Sequence, residues 1–197
     1  MLVALAGTFG ATAAPVPKEL KKKSDFYPLA VGNRWEYEAG IKGDRVKTRS
    51  VYEVSKVEAK DGIRVVTVTV TIAHPNQDPV QLTNTLRESK DGVELVTRNG
   101  IERDPPERIV SVSMQPGETW TVKREETKKE YTQQHTVGKP EEVTVPAGKF
   151  QAVPVVIRHD IGGTKYTSTF WYADGVGMVK MAMSNHVTEL KEFTPGK

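Results

Sequence analysis

Three short motifs of this chain recur further along it, in the same order and at nearly constant spacing. Gly32-x-x-Trp35 returns as Gly117-x-x-Trp120, 85 positions on. Thr83-Asn84-Thr85-Leu86 returns as Thr167-Ser168-Thr169-Phe170, 84 on. Asp91-Gly92-Val93-x-x-Val96 returns as Asp174-Gly175-Val176-x-x-Val179, 83 on. Ordered recurrence of this kind is how a duplicated supersecondary unit reads in sequence. The halves run over about 28–98 and 113–181. Chance similarity between two meanders is the alternative, and neither reading bears on chemistry.

Between the motifs the apolar residues alternate with period two. Val66, Val68, Val70 and Ile72 interleave with Thr67, Thr69 and Thr71, as a half-buried strand requires. Trp35, Tyr37, Ala39 and Ile41 form a second row, Trp120 and Val122 a third, and Val153, Val155 and Ile157 a fourth. In the fourth row Pro154 predicts an edge strand or a bulge. Asp61-Gly62, Asp91-Gly92, Gly162-Gly163 and Asp174-Gly175 are hairpin signals, and Val145-Pro146-Ala147-Gly148 reads as a type I turn. Asp104-Pro105-Pro106-Glu107 is excluded from a strand interior on this reading and marks the junction of the halves. The fold class is therefore all-β: an antiparallel meander of about eleven or twelve strands forming an open barrel or a sandwich.

Composition narrows the chemistry. Among 197 residues there is no cysteine, which leaves no thiol for disulfides, thiolate catalysis, sulfur-ligated metal or a lipid-modified cysteine. Residues 1–14 are uncharged and end in Ala11-Thr12-Ala13-Ala14, an A-x-A pattern that reads as a signal peptide; a disordered alanine-rich start is the alternative. Residues 15–25 read as a basic tether, and 26–193 as a single β domain. The expected location is extracytoplasmic, periplasmic or secreted, and no stretch is long and apolar enough for a transmembrane helix. Of the formal charge of +3, the tether's four lysines and two acids supply +2, so no basic face for nucleic acid is expected.

No catalytic centre, metal site or cofactor is read from the residues. His74, His135, His159 and His186 are scattered, and strand histidines so placed are expected at the surface or rim. In Arg158-His159-Asp160 neighbours point to opposite faces and make no dyad. Glu36, Glu38, Glu53, Glu58, Glu125, Glu126, Glu141 and Glu142 are expected on solvated faces; paired, they would suit a glycosidase. The aromatic residues Trp35, Tyr37, Trp120, Phe170, Trp171 and Tyr172 read first as core, and are the candidate ligand-binding residues if a pocket exists. Trp171 stands out of phase with Phe170 and Tyr172.

Three segments carry a resemblance: Pro28-Leu29-x-x-Gly32-Asn33-x-Trp35-x-Tyr37, Val145-Pro146-Ala147-Gly148-x-Phe150, and Gly175-Val176-Gly177-x-Val179-Lys180. They resemble a group of uncharacterised secreted bacterial β-rich proteins. More distantly the chain is similar to the open-barrel lipoprotein carriers of the Lol system, from which it departs in lacking lid helices. The resemblance implies no functional residues. The first reading is a secreted, non-enzymatic binding or structural protein. The alternative is a periplasmic carrier of an apolar or lipid moiety in an open β-barrel, and the third is a hydrolase using dispersed carboxylates. The partners left open are an apolar small molecule or an envelope component.

Overall fold

The computed structural model describes residues 25–43, 47–60, 63–126 and 129–196. The signal-like segment, nearly all of the tether, the Asp61-Gly62 turn and the Glu126 side chain lie outside the described residues. The chain forms thirteen strands. They are β1 (Arg34–Ile41), β2 (Thr48–Lys60), β3 (Ile63–Ala73), β4 (Val80–Ser89), β5 (Gly92–Arg98), β6 (Ile101–Ser111), β7 (Thr119–Glu126), β8 (Lys129–Val137), β9 (Glu141–Val145), β10 (Gly148–Ile161), β11 (Thr164–Ala173), β12 (Gly177–Met183) and β13 (His186–Thr194). No helix occurs among the described residues.

Every pairing is antiparallel, as short connections between one-sided strands favour. The sheet runs β6-β5-β4-β3-β2-β1-β13-β12-β11-β10-β8-β7, with β9 paired to β10 alone. It curls until β6 and β7 face each other, giving a nearly closed barrel. β1–β6 form one six-strand meander; β7, β8 and β10–β13 form another in the same order, with β9 added.

The recurring motifs occupy corresponding places in the two meanders. Gly32 (φ 83°) and Gly117 (φ 89°) each precede a strand whose second residue is the tryptophan. Thr83–Leu86 and Thr167–Phe170 lie on the fourth strand of each set, and Asp91-Gly92 and Asp174-Gly175 stand at the turn that follows.

Alternation sets the core. Val66, Val68 and Val70 are buried while Thr67, Thr69 and Thr71 are half-exposed. The largest cluster gathers Leu29, Trp35, Tyr37, Val54, Leu86 and Leu95 with Val179 and Leu190, and a second gathers Trp120, Val122, Val137, Val155 and Tyr172. At one end Tyr27 packs its ring 6.3 Å from Trp35 and 6.4 Å from Tyr172.

Two proline readings need correction. Asp104–Glu107 is not a junction but part of β6. Leu95 pairs with Glu107 and Thr97 with Glu102, so residues 103–106 bulge out of the ladder and the prolines forfeit no hydrogen bond. Pro154 lies in β10, an interior strand. There the ladder to β9 ends at Ala152 and the ladder to β8 begins at Val155, so the missing N–H falls in the gap. The expected strand count was also one short at its upper end.

The glycines of the two Asp-Gly turns differ in what surrounds them. A Cβ on Gly92 (φ 141°) would lie 1.9 Å from the Val110 carbonyl oxygen, whereas one on Gly175 (φ 73°) would meet nothing within 4 Å. We expect Gly92→Ala to cost about 3 kcal/mol through backbone displacement and Gly175→Ala about 1 kcal/mol through conformation alone. Urea unfolding midpoints of the two variants check this.

Candidate functional site

One pair of neighbouring strands on the barrel lacks a ladder. Among the described residues, β6 and β7 are bridged by side chains. The Trp120 indole N–H donates to the Arg108 carbonyl (3.0 Å) and Arg124 Nη1 donates to Glu107 Oε2 (3.3 Å). In the connecting loop Glu118 accepts from the hydroxyls of Ser111 (2.7 Å) and Ser113 (2.5 Å). Burial works against the Glu118 carboxylate, but these hydroxyl bonds win and hold its pKa below the ordinary value.

Beside this seam the buried face of the barrel turns polar. Val122 and Val137 fix the inward phase of β7 and β8, and that phase carries Trp120 and Arg124 on one strand and Tyr131, Gln133 and His135 on the next. The ladder sets Trp120 opposite His135, Val122 opposite Gln133 and Arg124 opposite Tyr131. His159 of β10 stands opposite both Gln133 and Tyr166, and Ser168 of β11 stands opposite Ile157. Together with Glu107, these strands form a compartment of polar side chains inside a β-barrel.

Much of the compartment is internally bonded. The His159 ring links the Tyr131 hydroxyl at Nδ1 (3.1 Å) to the Ser168 hydroxyl at Nε2 (2.8 Å) and stacks on Tyr166 at 4.3 Å. The Arg124 guanidinium lies 4.0 Å over the Tyr131 ring, a cation–π contact beside its ion pair with Glu107. His135 differs. It is 0 % exposed, stacks on Trp120 at 4.7 Å, and neither ring nitrogen has a hydrogen-bond partner in the protein. Gln133 Oε1 and Arg108 Nε are likewise without one.

Burial sets the protonation states. It pushes the His135 pKa down to about 3, reinforced by His159 and Arg108. It lowers His159 as well, with Glu107 opposing and Arg124 reinforcing. Burial also raises the Tyr131 phenol to about 12. At neutral pH both imidazoles are uncharged, and the Arg124 and Glu107 charges compensate each other.

The sequence candidates do not converge on one hollow. Trp35 is buried, donates to the Val176 carbonyl (2.5 Å) and stacks on Phe193; Tyr37 is buried and donates to the Met178 carbonyl (2.9 Å). Phe170 and Tyr172 face inward with ring centroids 6.4 Å apart. Trp171 takes the opposite phase and donates to Glu141 Oε1 (2.6 Å). Of the six, Trp120 borders the polar compartment most closely.

Two expectations are overturned. His135 and His159 are buried rather than at the surface, because their phase is that of Val137 and of Val155 and Ile157. Glu36 is buried rather than solvated, held by Arg49 at 2.6 Å and Arg34 at 3.7 Å. The hydrogen bond from Arg49 holds its pKa below the usual carboxylate value against the effect of burial. Arg158 and His159 do face opposite ways, the former exposed and the latter buried. Gln133, Tyr131, Arg124, Glu107 and Ser168 were not singled out in sequence. The signal available for four of them was an even spacing from an apolar residue of the same strand: Arg124 from Val122, Gln133 and Tyr131 from Val137, and Ser168 from Phe170.

Among the described residues, two of the hollows on the surface stand out. One of about 450 Å³ is bordered by Lys123, Arg124, Glu125 and Glu130, at the end of β7 and the start of β8. The other, about 310 Å³, is bordered by Phe26 and Tyr27 on one side and by Arg64, Glu88 and Ser111 elsewhere. No group of three His, Cys, Asp or Glu side chains suited to a metal ion occurs among the described residues.

Comparison with known proteins agrees with this geometry at the level of fold. Residues 111–194, which run from the end of β6 to the end of β13, match the DUF3108-like family. That stretch is somewhat less than half of the chain and nearly coincides with the second meander. No curated protein matches. A crystal structure of a candidate lipoprotein from Parabacteroides distasonis is similar over 88% of this chain and 100% of its own, with TM-score 0.61 and 15% identity. A candidate exported protein with a YmcC-like fold, from Bacteroides fragilis, is similar over 87% of this chain and 100% of its own, with TM-score 0.58 and 14% identity.

The buried histidines make stability depend on pH. A histidine whose folded pKa is depressed stabilises the native state fully above its unfolded pKa near ~6.5. That stability is lost as pH falls through the window down to about 3 for His135. We expect the unfolding free energy, read from urea titrations, to fall between neutral pH and pH ~4, at up to ~1.4 kcal/mol per pH unit for each such group. His135→Phe, which keeps a ring against Trp120, should make that fall shallower. Paired denaturation series at the two pH values check it.

Proposed function

We propose that the protein is an extracytoplasmic, non-enzymatic barrel that acts by binding. The observation that carries this reading is the division of the interior: aromatic and aliphatic side chains fill most of it, and unpartnered polar groups collect at one end beside an unlaced seam. The signal-like start of the chain and its likeness to a candidate exported protein and a candidate lipoprotein support the location. We also propose that the two meanders, residues 28–98 and 113–181, descend from one duplicated unit, which their matching strand order supports.

The carrier reading fits less well. The 310 Å³ hollow is lined by Arg64 and Glu88 as well as by Phe26 and Tyr27, so an acyl chain placed there would desolvate an ion pair of 2.7 Å. The hydrolase reading called for paired carboxylates, and of the acids named Glu36 is bound by Arg49, Glu38 by Lys191 and Glu142 by Lys149; a serine–histidine design meets a different obstacle. His159 and Ser168 have the spacing of a base and a hydroxyl nucleophile, but Ser168 is 4 % exposed and His159 is stacked against Tyr166, so the hydroxyl faces the core.

Two measurements test the reading. An environment-sensitive naphthylamine probe should show no fluorescence enhancement with the purified protein, whereas saturable enhancement would establish a carrier. Ester and glycoside substrates should not be turned over. Turnover abolished by Ser168→Ala would establish an enzyme.

A further inference from the structure

The seam and the polar compartment are next to each other, and each bears on the other. His135 and Gln133 lie one strand in from β7, on the strand that β7 pairs with, and both face the buried side. A hydrophobic barrel does not need them: buried polar side chains are disfavoured unless bonded, and removing such groups in favour of apolar ones is commonly neutral or stabilising. His135 is fully buried with two unpartnered nitrogens, and Gln133, 4 % exposed, has an unpartnered carbonyl oxygen. These atoms present three open hydrogen-bonding positions within two successive inward residues of one strand.

We propose that this compartment binds a small uncharged polyol, such as a monosaccharide, admitted between β6 and β7. This rests on the binding reading above and assigns its site and ligand class. The ligand chemistry follows from what the open positions require. A neutral imidazole offers one donor and one acceptor, and the Gln133 oxygen requires a donor. Hydroxyl groups both donate and accept, so adjacent hydroxyls satisfy all three positions in either tautomer of His135. A charged ligand is disfavoured, because the charges around the compartment are already paired: Glu107 with Arg124 (3.3 Å) and Arg98 (3.9 Å), and Arg108 with Asp91 (3.6 Å). The Trp120 and Tyr166 rings, stacked on His135 and His159, border the same compartment.

Admission uses the one joint of the barrel that has no ladder. Moving β6 away from β7 breaks the Trp120 bond to the Arg108 carbonyl and the Arg124–Glu107 ion pair, whereas parting β1 from β13 would break a ladder running from Arg34 to Ile41.

The test uses the full chain with isotope-labelled histidine and glutamine. The His135 ring and Gln133 side-chain amide resonances are followed while glycerol, glucose and N-acetylglucosamine are added in turn. Saturable shifts at both residues, with apparent affinity weakened at least about tenfold in His135→Phe, are the expected result. Gln133→Met gives an independent reading of the same loss should His135→Phe fail to fold. Unmoved His135 resonances with all three polyols would overturn the proposal, as would shifts that persist in both variants. A long-lived water seen at the His135 ring, with no polyol effect, would overturn it too and would leave the wider binding reading standing on its own tests.

Discussion

A sheet of consecutive antiparallel strands has two edges, and this one removes them by curling until the edges meet. Everything else in the molecule depends on how that closure is made. Twelve strands succeed one another around the barrel, and eleven junctions are ladders of backbone hydrogen bonds. The twelfth, between β6 and β7, is held by an indole, an ion pair and the serine bonds of Glu118. The reason lies partly in β6, whose residues 103–106 bulge away from β5 and carry Pro105 and Pro106. A strand bent in this way cannot present a straight edge to β7.

Closure also decides where polar side chains are tolerated. Around β3 the buried positions are Val66, Val68 and Val70, and the packing there is of the ordinary close kind. Near β7 the same inward phase brings in Arg124, Gln133 and His135; Arg124 is held by bonds between side chains, while His135 and the Gln133 oxygen have no hydrogen-bond partner in the protein. Networks of that kind are strong when complete and costly when they are not. The His159 set with Tyr131 and Ser168 is of the complete kind; His135 is of the other, and it sits next to the seam.

The architecture was largely legible in the sequence because period two is a local signal. Val66, Val68 and Val70 announce their own burial, and Asp91-Gly92 and Asp174-Gly175 announce their turns. Corresponding places of Trp35 and Trp120 at the starts of two strands also followed from spacing. Pro105 and Pro154 misled for one reason: a proline forbids a hydrogen bond only where the ladder would have one, and gaps in a ladder depend on partners far away in the chain. The site was less legible still. That His135 shares its phase with Val137 could be read locally, but nothing local shows that Glu107 would meet Arg124 across a joint between different meanders. The burial of Glu36 depends in the same way on Arg49, from the next strand.

The joint between β1 and β13 has a consequence for how the molecule is assembled. Nearly all the other ladders unite segments adjacent in the chain, so those hairpins need only short loops to close. The ladder from Arg34 opposite Thr194 to Ile41 opposite His186 spans almost the whole described chain. A chain that emerges from its first residue onward therefore carries β1 with one bare edge until its last strand has been made. Non-local pairings of this kind slow folding and lengthen exposure to wrong partners. The residues opposite in phase to Trp35 and Tyr37 along that waiting edge are Arg34, Glu36 and Glu38, and charges there discourage a second copy from pairing before β13 arrives.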